Sequence, residues 1–401
     1  MDFTYPPEAE AFRAEFRAWL DEHYTDEFRA EGLGFSMEMD ADRLAAMRAW
    51  NRQLADARFA AISWPSEYGG RGAGTMEQVV FAEEMHRSDA PGTLNPLGLS
   101  NIAPAIIEFG TDAQKQQFLP RMLRGDDIWC QGFSEPNAGS DLGGLATSAV
   151  RDGDEWIVNG QKVWNSGAHY SDWGILLTRT NLDASKHRGI TYFLVDMRTP
   201  GIDVRPLRQI TGAAHFNEVF LTDVRIPHEN IIGQIDAGWG PMMTTLSNER
   251  TLIGGATRGD FTEIADLARR TGAHRSPVLR QQLARSYTRS AILKFLGYRV
   301  RTAAARGVAP GPESSIMKLL VSEHMSGQGD LVLAMQGAGA MLAGADALDG
   351  GRWQMEFLGQ WSSKIGGGTD EIQRNTIGEK VLALPPEPRV DKNIPFRDIP
   401  K

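Results

Sequence analysis

The sequence predicts an α+β multidomain chain. An N-terminal all-α domain occupies residues 1–125, a middle antiparallel β-domain 126–236, a C-terminal four-helix bundle 237–384 and a tail 385–401. Three observations carry this reading. Apolar residues recur at helical spacing through the first part. Near Ile128 the pattern turns to short β-rich runs broken by Asp-Gly and Asn-Gly pairs. Beyond Gly238 helical periodicity returns over long stretches, giving the order helix, sheet, helix.

In 8–24 (EAEAFRAEFRAWLDEHY), Phe12, Phe16, Trp19 and Leu20 form one apolar stripe, and Pro6-Pro7 suits a helix start. Helices are also predicted over 39–59, 75–86 and 111–123, the last opened by the cap-like Thr111-Asp112. Segment 64–74 (WPSEYGGRGAG) has loop chemistry. In 149–164 (AVRDGDEWIVNGQKVW), both Asp152-Gly153 and Asn159-Gly160 read as hairpin signals, and 173–178, 190–195 and 216–224 continue the β reading. Further helices are predicted over 242–270, 277–305, 314–341 and 353–363, with a shorter one after Thr369. The tail PPEPRVDKNIPFRDIPK is expected to wrap a surface or a partner.

Composition narrows the function. At 401 residues, 41% hydrophobic and 23% charged, the chain resembles a soluble globular enzyme of two or three domains. A net charge of -9 without a long Lys/Arg run argues against a nucleic-acid partner. The arginines from Arg269 to Arg289 read as solvated helix faces, with room for a basic patch toward one small phosphorylated ligand. The single cysteine, Cys130, excludes an intrachain disulfide and makes a reducing cytoplasm the expected setting. No signal peptide and no membrane-spanning run are legible, so no membrane insertion is expected. The eight histidines are scattered, which predicts no metal site. There is no G-x-S-x-G elbow or Walker A loop. Gly337-Ala338-Gly339 and Gly366-Gly367-Gly368 neither follow a strand nor complete a dinucleotide fingerprint.

Residues 132–141 (GFSEPNAGSD) resemble the first signature of the acyl-CoA dehydrogenases. Residues 159–180 (NGQKVWNSGAHYSDWGILLTRT) are also similar to that family, and 365–384 (IGGGTDEIQRNTIGEKVLAL) resembles its second signature. The resemblance covers essentially the whole chain in the family's domain order. It implies FAD as cofactor, acyl-CoA as substrate and an electron-transfer flavoprotein as electron acceptor. It also implies a homotetramer, or a heterotetramer with a related subunit. By position, Gln131, Phe133 and Ser134 would line the isoalloxazine, with Trp164 packed on the ring and Ser166 bonding near N5. A hydride-accepting flavin needs such fixed hydrogen bonds and a dry pocket. Gly139 belongs to the same cofactor segment, and Ser140 would approach the flavin and the CoA arm. Gln336, Gly339, Thr369 and Glu371 resemble residues that hold the adenine end across a subunit boundary. Arg269 falls roughly where the family has a pyrophosphate arginine, but the aromatic expected three residues later is Gly272.

The reaction needs a base for the α-proton of the thioester, and a carboxylate made more basic by burial suits it. Many family members carry that carboxylate immediately before the Gly-Thr of the second signature, where this chain has Gly367. A minority branch supplies it as the Glu of a helical Glu-Arg pair, which resembles Glu249-Arg250 here. Glu249 is therefore the expected base, with Arg250 toward the substrate and the Gly367 N–H toward the thioester carbonyl. By the same resemblance a helix-borne base accompanies branched, long or bulky acyl groups, including steroid side chains. Two other readings stay open: a non-catalytic partner subunit of a heteromeric enzyme, and a flavin monooxygenase or oxidase on the same scaffold.

Overall fold

The N-terminal stripe folds as α1 (Pro7–His23), with Pro7 in its first turn and Phe12, Phe16 and Leu20 buried along one face. The computed structural model describes residues 5–26, 28, 39–255, 261–305, 311, 314–389, 391 and 393–399, with the backbone alone at 249–255, 301, 304, 305 and 314. α2 (Ala41–Asp56) starts at Asp40, whose carboxylate accepts the Arg43 N–H at 2.8 Å. α3 (Thr75–Ser88) follows. Phe16 stacks on Phe81 of α3 at 4.5 Å and lies 4.6 Å from Phe59, so one aromatic core joins these helices. α4 (Ala103–Phe109), continuing from a π-helical turn over Leu97–Ile102, carries too short a periodic run to be legible in the sequence. α5 (Asp112–Arg124) begins with a capping box between Thr111 and Gln114, matching the expected start.

Among the described residues seven strands follow: β1 (Trp129–Gly132), β2 (Ser148–Asp152), β3 (Glu155–Val163), β4 (Trp173–Arg179), β5 (Ile190–Asp196), β6 (Ile202–Leu207) and β7 (Phe216–Pro227). Their order is β1-β4-β2-β3-β7-β6, with β5 on β4. Pairing is mainly antiparallel, as expected. The departures are β1, parallel to β4, and one parallel pairing of Ser148 with Arg179. Alternate residues of β4 and β5 face two cores. Ile175, Leu177, Tyr192 and Leu194 join the N-terminal helices, while Leu176, Phe193 and Val195 join Trp156, Val158, Val219 and Val224 of β3 and β7. Both faces of these two strands are therefore buried.

Asp152-Gly153 makes the predicted hairpin, with Asp152 opposite Glu155. Asn159-Gly160 does not; it lies inside β3, where the register against β7 shifts between Val158 and Gly160. The Asn159 amide donates to Asp223 Oδ1 at 3.0 Å and accepts the Asp223 N–H at 2.9 Å, which holds the extra residue as a bulge. β1 and β6 were not legible: β1 has four residues, and β6 carries Pro206 at the sheet edge.

Two compact units form. The first contains Met1–Arg208, Ala213–Glu249 and Pro388–Lys401, and the second Gln209–Gly212 and Arg250–Glu387. The helices are α6 (Trp239–Gly255), α7 (Phe261–Arg270), α8 (Pro277–Ala305), α9 (Ser314–Gln336), α10 (Arg352–Ile365) and α11 (Asp370–Thr376). The stretch predicted as one helix over 242–270 is described as α6 and α7, with 256–260 outside the described residues. The helix predicted to Met341 ends at Gln336 and finishes in a 3₁₀ turn, Gly337–Met341. Ile264, Leu267, Leu283, Leu331, Val332 and Trp353 build the core of the second unit. The tail returns to the β-domain, where Pro395 bridges to Ser185.

No helix among the described residues is long and apolar enough to cross a membrane, and none of their His, Cys, Asp and Glu side chains group in a way that could hold a metal ion. Cys130 on β1 is 2% exposed, and burial pushes its thiol up to about 12.

Candidate active site

The first signature and the segment after β3 lie side by side. Val163 N–H donates to Ser134 O at 2.9 Å, and Asn165 Nδ2 donates to Gln131 O at 2.6 Å. Gln131, Phe133 and Ser134 are thereby brought together with Trp164 and Ser166. Beneath them is a fully buried cation: Lys162 Nζ donates to Phe133 O at 3.1 Å and to Glu135 Oε1 at 2.8 Å. Glu135 also accepts the N–H groups of Ala146 and Thr147 at 2.7 and 2.9 Å. Burial pushes the Lys162 ammonium down to about 8 against the pull of Glu135. Burial alone would raise the Glu135 carboxyl, but Lys162 and the Thr147 and Ala146 donors outweigh it and hold it below its ordinary value.

Sequence reasoning assigned no role to Lys162, Glu135 or Asn165. The one available signal was a lysine at an inward strand position between Gly160 and Trp164.

The exposed surface of this floor has the character a planar ring would need. Trp164 is 59% exposed, holds a left-handed backbone at φ 64° and sets its ring perpendicular to Phe216 at 5.7 Å. Such a conformation is uncommon for a bulky residue. Phe133 is buried, edge-on to Tyr192 at 6.1 Å. Ser134 and Ser166 are half-buried, within reach of the surface. Glu135 and Ala138 exchange backbone hydrogen bonds at 3.0 and 3.1 Å, a tight turn that presents Gly139 and Ser140 to solvent. These residues fit a flavin ring and its polar edge.

The other candidates belong to the second unit. Gln336 ends α9, and Gln354 of α10 joins it to Gly339, donating to Gln336 Oε1 at 3.5 Å and to Gly339 O at 3.4 Å. Thr369 caps α11 by accepting the Ile372 N–H at 3.2 Å, and the exposed Glu371 pairs with Arg374. Gly367 O accepts Gln373 Nε2 at 3.1 Å. Arg269 is exposed near the end of α7, whereas Arg270 is committed to Asp349 at 2.8 and 2.7 Å. Gly272 has φ 73° and donates its N–H to Arg269 O, so it ends the helix in the left-handed conformation that glycine adopts freely. The α6 backbone carries Glu249 and Arg250, whose side chains lie outside the described residues.

The chain runs helical, β and helical, with this ring-and-hydroxyl floor in its β-domain. Three acyl-CoA dehydrogenase domain families match it in order: the N-terminal domain over residues 6–126, the middle domain over 130–224 and the C-terminal domain over 236–382. The chain belongs to the acyl-CoA dehydrogenase family and is an enzyme of that flavoprotein class. The acyl-CoA dehydrogenase IpdE1 of Mycobacterium tuberculosis is 39% identical over 388 residues, spanning 95% of this chain and 99% of that protein. Acyl-CoA dehydrogenase FadE34 of the same organism is 39% identical over 362 residues, spanning 89% of this chain and 49% of that protein. The solved Tcur3481-Tcur3483 steroid ACAD matches with TM-score 0.82 and 28% identity, over 96% of this chain and 100% of that one. The ChsE4-ChsE5 complex from Mycobacterium tuberculosis matches with TM-score 0.78 and 32% identity, over the same shares.

Proposed function

We propose that the protein α,β-dehydrogenates a bulky acyl-CoA thioester to a trans-2-enoyl-CoA, with Glu249 as base and an electron-transfer flavoprotein as electron acceptor. Bound FAD would supply the acceptor for the β-hydride. Gln131, Phe133, Ser134, Gly139, Trp164 and Ser166 would hold the ring, with Ser140 and Arg250 toward the thioester. Arg269, Gln336, Gly339, Thr369 and Glu371 would hold the nucleotide end contributed across a subunit boundary. The Glu249 carboxylate would take the α-proton, and the Gly367 N–H would stabilise charge developing on the thioester oxygen.

The observation that carries this reading is the floor itself, in which Ser134 O and Gln131 O are bonded to the Val163–Asn165 segment beneath an exposed Trp164. The steroid ACAD and the complex among the relatives support a bulky substrate and an assembly of two related chains. The second of these, with Gly272, also favours the reading as a non-catalytic partner subunit. Expression of the chain alone decides: stoichiometric yellow flavin bleached by an acyl-CoA from a panel that includes steroid side chains supports dehydrogenation. Colourless protein that takes up FAD only with a second chain would overturn it, and oxygen consumption without an electron-transfer partner would point to an oxidase.

A further inference from the structure

Lys186 is 8% exposed, and its Nζ lies 2.6 Å from Oδ2 of both Asp141 and Asp391. Asp141 directly follows Ser140 in the first signature, whereas Asp391 belongs to the tail. The contact between them is close-packed: a Cβ at Gly143 would stand 2.8 Å from His187 Cδ2 and 3.2 Å from Lys186 Cγ. A second buried cation repeats the connection. Arg179 donates to Gly143 O at 2.7 Å and to Lys186 O at 2.9 Å, and its guanidinium lies 3.8 Å from the centre of the tail's Phe396 ring. Phe396 N–H donates to Ala184 O at 2.9 Å and Arg397 N–H to Leu182 O at 3.1 Å, tying the tail to the same loop. Beside Lys186, the His187 ring lies 4.3 Å from that of Trp239, the first residue of the helix that carries Glu249.

We infer that Lys186 is a positioning residue that fastens the coenzyme A side of the site to the tail, so that the tail sets acyl-CoA affinity. This rests on the reading of Ser140 as facing the CoA arm. The Asp141 side chain is 64% exposed and would contribute little alone, but that of Lys186 is 10% exposed and its ammonium holds Asp391 as well, so without that link the loop after Ser140 has no ion pair to the tail. The loop after Ser140 then samples several positions, which weakens binding more than chemistry.

The test uses calorimetric binding of free coenzyme A to the flavin-loaded protein, with KM and kcat for a reactive acyl-CoA. Lys186→Met is expected to weaken coenzyme A binding and raise KM about tenfold, about 1.4 kcal/mol, with kcat within twofold. Lys186→Arg restores both. A chain ending at Glu387 behaves like Lys186→Met, and combining the two adds nothing further. If Lys186→Met does not fold, Asp391→Asn gives the same readout. Wild-type affinity in Lys186→Met or in the truncated chain, losses that simply add, or a fall in kcat with KM unchanged would each overturn the inference. Failure of the unaltered protein to bind coenzyme A would instead overturn the functional reading, and this inference with it.

Discussion

Lys162 and Glu135 form an ion pair at 2.8 Å with side chains 0% and 9% exposed, directly under the main chain of the candidate flavin floor. Removing one partner from a buried pair leaves an uncompensated charge, costing about 3–5 kcal/mol. Glu135→Gln and Lys162→Met are each expected to lose stability on that scale by chemical denaturation. Lys162→Met/Glu135→Gln should lose less than their sum, because no charge is then stranded. Additive losses would show that the pair contributes nothing as a pair.

Trp164 offers a separable test. Its side chain is 59% exposed, so Trp164→Ala should change the melting temperature little. The same substitution should lower bound flavin per chain, read from the ratio of flavin to protein absorbance. A full complement of flavin in the variant would remove Trp164 from the site.

Glu249→Gln should keep its flavin and bind acyl-CoA while bleaching about 10²–10⁴-fold more slowly, the range a positioned base contributes. Near-normal bleaching would mean that another group takes the α-proton.

Glu84 gives a pH signature in the N-terminal helices. Arg17 above all, with Arg87 and Arg13, holds this buried carboxyl down to about 2 from 4.5, against the opposing effect of burial. The folded value lies below the unfolded one, so the stabilisation is complete above about 4.5 and is lost as pH falls toward 2. Glu84→Gln should therefore be less stable by on the order of 2 kcal/mol at neutral pH and should show a shallower acid decline. Parallel melting curves for the two proteins between pH 2 and 6 check this.

What the sequence disclosed divides by distance along the chain. The α1 stripe and the Thr111 cap are local patterns, and both appear as predicted. Asn159-Gly160 carries the same local signal as a hairpin, yet its fate is decided by Asp223, 64 residues away. Lys162 looks like one polar residue of a strand until Glu135, 27 residues earlier, comes beside it. Ser134, Trp164 and Ser166 are candidates because they fall in long, distinctive motifs. The bonds that hold them, from Asn165 to Gln131 and from Lys162 to Phe133, follow no sequence spacing.

The lone thiol of Cys130 has a practical consequence, because it sits on β1 one residue before Gln131 and is 2% exposed. A thiolate is the reactive form, so burial that pushes the thiol up to about 12 shields it from alkylating reagents while the strand stays closed. Its labelling rate then becomes a clock for opening of the strand that leads into the floor, with no background from other cysteines. Any ligand that settles on the floor should slow that clock, whether or not it is turned over.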